Sequence, residues 1–137
     1  MQLISAWSKG VPSLLPAVEL DYARVHYVVA DRAEADIYQH LKRLDVSDSR
    51  LDVYSVIDDL TFPIEWFIDG RVAFRRMCER VKPVDGSLLI LDTLPPFTSG
   101  NLIGYRDVMI SLMELQREAK ARNITILGVH HAGKSRT

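Results

Sequence analysis

Short apolar runs alternate with longer amphipathic stretches along this chain. Val25-His26-Tyr27-Val28-Val29-Ala30 is short, apolar and rich in β-branched residues, which reads as a buried strand. Directly after it, Ala33, Ile37, Leu41 and Leu44 recur at helical spacing and form one apolar face. Asp31 with Glu34 fits a capping box at the start of that helix. Residues 51–56 read as a second strand. Pro63 and Gly70 punctuate the next stretch, and a helix then runs to about Lys82, stopped by Pro83 and Gly86. Leu88-Leu89-Ile90-Leu91-Asp92 is the strongest strand, apolar until it ends in an acid. Residues 93–104 form a loop with two prolines and two glycines. The clearest helix follows, with Val108, Leu112, Leu115 and Ala119 on its inner face and Asn123 at its end. In it Glu114 and Glu118 precede Lys120 and Arg122, an order that suits the helix dipole. Residues 124–129 form the last strand.

Four strands and three or four helices in strict alternation predict an α/β fold with a mostly parallel sheet and helices on its faces. In open sheets of this kind ligands sit at the carboxyl ends of the strands. That rule selects Asp31, Asp92 with Thr93, and His130 with His131 as the positions where chemistry is expected.

Composition narrows the picture. The chain has 137 residues, enough for one domain, and no repeat or low-complexity linker divides it. Hydrophobic residues make up 47% and charged residues 26%, ordinary for a globular protein. The formal net charge of -1 supplies no global pull toward nucleic acid or an anionic membrane, so a DNA contact needs a local basic patch or a partner subunit. No apolar run reaches the about 18 residues of a membrane span, and the N-terminus lacks the basic start of a signal peptide. The single cysteine, Cys78, cannot build a disulfide framework, which suggests a cytoplasmic setting. With Phe74 and Val81 at helical spacing, it is expected in the core. Trp7 and Trp66 are expected to pack rather than to stack on bases, because no basic residues interleave with them.

Asp92 carries the first chemical signal. Large apolar residues followed by an acid at a strand tip form the Walker B pattern, in which the acid emerges where the Mg²⁺ of a bound nucleotide sits. The plainer alternative is an acid that caps the strand-to-loop turn. The second signal is Gly128-Val129-His130-His131-Ala132-Gly133-Lys134-Ser135, which satisfies the phosphate-loop formula as a string. Such a loop opens directly into a helix, and here only Arg136 and Thr137 remain. It also follows the acid-tipped strand, an order that a circularly permuted GTPase would show; no Asn-Lys-x-Asp signature precedes it. Paired histidines also raise a metal site, but neighbours on a strand point to opposite faces and chelate poorly together.

The order and spacing of these blocks resemble RecA-type ATPases related to the RepA-type hexameric replicative helicases. The resemblance runs through residues 25–31, Ile37 and His40-Leu41, then Leu89-Ile90-Leu91-Asp92-Thr93-Leu94, a loop with Asn101, the long helix, and residues 124–134. It implies a three-layer RecA-like P-loop NTPase core, partial over residues 1–137 and lacking the first strand with its Walker A loop. It implies ATP with Mg²⁺, the ion held by Asp92 through water, with Thr93 and Lys134 near the nucleotide. Asp31 falls where the family places a glutamate that activates the attacking water, and its arm is shorter. His130 or His131 takes the place of the γ-phosphate sensor. Lys134 or Arg136 occupies the place from which related motors reach a neighbouring subunit's nucleotide. DNA, through an assembled homo-oligomeric ring, is the implied macromolecular partner. Met1 to Trp7 correspond to the helix after the Walker A loop, so Met1 is expected to be an internal start or a fragment boundary. The chain alone is therefore expected neither to bind ATP tightly nor to hydrolyse it. The competing expectation is a degenerate, non-catalytic RecA-like interaction module. Either way, residues 124–129 should present an exposed apolar edge.

Overall fold

The computed structural model describes residues 4, 22–44, 49–57, 69–98 and 104–130. These contain β1 (Val25–Val29), α1 (Glu34–Arg43), β2 (Leu51–Ser55), α2 (Gly70–Val81), β3 (Leu88–Asp92), α3 (Tyr105–Arg122) and β4 (Thr125–Val129). A 3-10 turn, Pro95–Phe97, follows β3. The strands pair in the order β2-β1-β3-β4, every pair parallel. This is the α/β architecture that the alternation of patterns predicts, and it agrees with a RecA-like core.

Successive strand residues point to opposite faces, and both faces are covered. Val28, Leu89 and Leu91 join Ala73, Phe74, Met77 and Cys78 of α2 and Leu115 of α3 in one apolar layer. Val25, Tyr27, Val29, Leu88 and Ile90 face the other way, onto Ile37 and Leu41 of α1 and onto Ile4, itself helical and buried. Helices on both faces of one sheet make three layers. Cys78 is core, as its spacing predicted.

The helix ends follow local chemistry. The Asp69 carboxylate accepts from the Arg71 amide and caps α2. Lys82 and Asn123 end α2 and α3 in the left-handed conformation, each with φ of 51°. Two expectations are corrected. The capping box at Asp31 does not form: the cap of α1 is Ala33, which offers no side-chain bond, and Asp31 lies two residues before it. Hydrophobic periodicity locates a helix but not its first turn. The inner face of α3 is also only partly covered. Ser111 and Leu115 are buried, Val108 and Ala119 are half-buried, and Leu112 is 44% exposed. Leu112, Leu115 and Ala119 line a hollow over β4, an edge strand among the described residues, so the face is not filled there.

Among the described residues β4 pairs only with β3. No described residue pairs with its other edge, and Leu127 is 39% exposed, in line with the expected apolar edge.

Candidate functional site

The connections define where a ligand can enter. From β1 the chain runs through α1 to β2, on one side of β1; from β3 it runs through α3 to β4, on the other side. α1 and α3 lie on opposite faces of the sheet. The neighbouring strands β1 and β3 therefore send their outgoing loops in opposite directions. A crevice opens between those loops at the carboxyl edge, the place where open α/β sheets bind ligands.

Asp31, Asp92 and His130 lie at this edge. In register Val29 lies opposite Asp92, and Asp92 opposite Val129. Hydrogen bonds carry the ladder past the strand tips, from the Ala30 amide to the Asp92 carbonyl at 2.7 Å and from the Leu94 amide to the Val129 carbonyl at 2.8 Å. Asp31 follows β1 by two residues and is exposed; His130 follows β4 directly and is exposed. Thr93 is half-buried next to Asp92. His131 and Lys134 lie outside the described residues, as does Arg136.

Asp92 continues the Leu88–Ile90 face of β3, so its side chain turns toward the α1 layer and is only 7% exposed for the residue. A buried carboxylate needs hydrogen bonds and a counter-charge. Both come from β1 and the loop after it. The Tyr27 hydroxyl donates to Asp92 Oδ2 at 2.7 Å, and Arg32 Nη2 donates to the same oxygen at 3.0 Å. Arg32 Nη2 also reaches the Tyr27 hydroxyl at 3.1 Å, and its Nε lies 3.9 Å from Asp31 Oδ1. Burial, with the Asp92 hydrogen bond second, pushes the Tyr27 phenol well above its ordinary range, so it stays a donor.

Sequence reasoning missed Tyr27 and Arg32. One signal was present: a tyrosine inside a buried strand must find a partner for its hydroxyl, and a polar residue on a neighbouring strand is a candidate. Nothing in the spacing marked Arg32.

These residues fit one kind of cation. Among the described residues no three His, Cys, Asp or Glu side chains gather to hold a metal. An ion caged by protein ligands does not suit that donor set. A small, hard cation that keeps its waters and binds through one carboxylate and a ligand's phosphate oxygens does.

Other polar features lie apart. Arg24, His26 and Asp52 cluster at the amino ends of β1 and β2, with Arg24 Nη2 2.8 Å from Asp52 Oδ1. The cleft of about 230 Å³ between α2 and α3 is on the sheet face away from the Asp92 carboxylate. Gly128, the first glycine of the phosphate-loop string, is a strand residue of β4. A Cβ there would meet Leu94 Cδ1 at 2.9 Å, so close packing by Leu94 accounts for the glycine.

A three-layer parallel α/β fold with helices on both faces is consistent with a RecA-like core. The model of the AAA domain family matches this chain over residues 1–137, and the chain belongs to that family of P-loop ATPases. No curated protein matches it.

Proposed function

We propose that this domain is part of an ATP-binding and ATP-hydrolysing motor of the RepA-type replicative helicase kind, with the crevice between β1 and β3 as its nucleotide site. The observation that carries this reading is the buried Asp92 at the switch point, flanked at one edge by Asp31 and His130. In this reading Asp92 is the Walker B acid and holds Mg²⁺ through water, with Thr93 beside it. The ion supplies charge neutralisation to the phosphate oxygens. Asp31 orients the attacking water; its side chain is not used to cap α1. His130 or His131 contacts the γ-phosphate, and Lys134 a nucleotide. Coupling to DNA through a homo-oligomeric ring comes from the resemblance in block order.

Among the described residues no glycine-rich loop opens a helix at this edge. The backbone N–H groups that hold a triphosphate must come from outside the described residues, which alone are expected to bind it weakly. Titration with a fluorescent ATP analogue, with and without Mg²⁺, tests the site. Weak binding that needs Mg²⁺ and disappears in Asp92→Asn is expected. Binding indifferent to both refutes it.

One observation favours a second reading, a non-catalytic interaction module. α3 exposes Tyr105 (83%), Met113 (47%) and Ile110 (45%) on its outer surface. Absence of any nucleotide binding, together with a partner protein protecting α3 from hydrogen exchange, would support that reading over the first.

A further inference from the structure

We propose that Arg32 is a tethered cation that competes with the divalent ion for Asp92, so that the ion binds only as the guanidinium leaves. This deepens the reading of Asp92 as the cation carboxylate and rests on it.

The geometry makes one guanidinium the counter-ion of two acids. Arg32 Nη2 lies 3.0 Å from Asp92 Oδ2, and Arg32 Nε lies 3.9 Å from Asp31 Oδ1. A divalent ion coordinated by Asp92, directly or through water, would lie within a few ångströms of that positive charge. Two cations at such range repel. Asp92 Oδ2 already accepts from Tyr27 and Arg32, so an ion that takes this oxygen displaces the guanidinium.

The arm is built to leave while its base stays. The carbonyl of Arg32 accepts a hydrogen bond from the Ser55 hydroxyl at 2.8 Å, and Ser55 is 1% exposed. The loop after β1 is thereby pinned to the tip of β2. The Arg32 side chain is 35% exposed, so its charged end can turn into water without crossing an apolar layer. Tyr27 differs. Its ring is buried in the α1 layer, and its hydroxyl keeps its bond to Asp92 Oδ2 when the guanidinium has gone. Asp92 therefore stays oriented during the exchange. The arrangement prevents an unpaired buried charge in the ion-free state and links the release of Arg32 and Asp31 to cation binding.

The test uses Mn²⁺ as the probe, read from the electron paramagnetic resonance of the free ion, and needs no catalytic activity. Wild type is compared with Arg32→Gln, Arg32→Lys, Asp92→Asn and the Gln/Asn double variant. Arg32→Gln is expected to bind Mn²⁺ on the order of tenfold more tightly, the scale of one charge-assisted hydrogen bond to a partly exposed group. Arg32→Lys, which keeps the charge but loses the forked contact, falls between, and Asp92→Asn removes the gain. Melting curves accompany each: Arg32→Gln melts below wild type without Mn²⁺ and recovers with it. If Asp92→Asn changes nothing in either background, Asp92 is no cation site and both readings fall. If Asp92→Asn removes binding but Arg32→Gln binds no tighter, competition is refuted and the cation site stands. A melting defect that Mn²⁺ does not restore, at unchanged affinity, also refutes it, since Arg32 is then only a strut. Should Arg32→Gln fail to fold, the Lys variant decides: tighter binding than wild type supports the proposal and equal binding overturns it.

Discussion

Substituting Gly70 by alanine should loosen the segment that follows Asp92. Gly70 opens α2 against the backbone of Thr98, just beyond the 3-10 turn. A Cβ at this position falls 1.8 Å from the Thr98 carbonyl oxygen and 2.7 Å from its nitrogen. Carbon–oxygen contacts settle at about 3.3 Å or more, so one backbone must retreat by roughly 1.5 Å. Neither side is the free end of a flexible side chain. The retreat lifts Phe97, 1% exposed, from the layer it shares with Phe74 and Met77. Overpacking of this kind costs about 1–3 kcal/mol, and partial uncovering of Phe97 adds a fraction of the about 3–5 kcal/mol of a full deletion. Alanine's better helix propensity returns up to about 1 kcal/mol. The net loss is roughly 2–4 kcal/mol, which for a domain of this size lowers the melting temperature by roughly 6–12 °C. Urea titration followed by far-ultraviolet circular dichroism gives the free energy, with an unchanged slope expected. A Gly70→Ala protein within about 0.5 kcal/mol of wild type would show that α2 and Thr98 do not approach as closely as argued.

Four further outcomes are expected. His26 is 2% exposed; its Nδ1 lies 3.3 Å from Asp52 Oδ2 but not in hydrogen-bond geometry, and burial lowers its pKa despite that carboxylate. The unfolded chain then holds more protons just below about pH 6.5, so stability falls as pH drops through that window; His26→Gln should flatten this part of the melting-temperature profile, and an unchanged profile refutes it. Asp52, its pKa lowered chiefly by the Arg24 hydrogen bond, contributes stability that is lost only at more acid pH, as its carboxylate is protonated. The Cys78 thiol is buried and pushed up to about 11, so iodoacetamide should label it at the rate of unfolding rather than at once, as mass spectrometry of timed samples will show. Leu127→Lys on β4 should change stability by no more than about 0.5 kcal/mol while reducing self-association in concentration-dependent size-exclusion chromatography.

Periodicity alone determined most of the fold. Short strand-like runs of five or six residues, set between helical patterns, placed the four described strands within one residue of their ends. Lys82 before Pro83, and Asn123, ended α2 and α3 where backbone chemistry requires. Asp92, Asp31 and His130 were legible as candidates because ligands of open parallel sheets bind at the carboxyl ends of the strands. The errors arose where a helix's immediate neighbours decide. Asp31 does not cap α1, and Leu112 stays 44% exposed because the hollow it lines over β4 is not filled.

What only the tertiary structure decided is which side chains share the crevice. The sheet order places β1 next to β3 although α1, β2 and α2 separate them in sequence. That adjacency brings Tyr27 and Arg32 onto a carboxylate 65 and 60 residues away. Local periodicity encodes which face of an element is apolar; it carries no record of which distant element will bring the counter-charge.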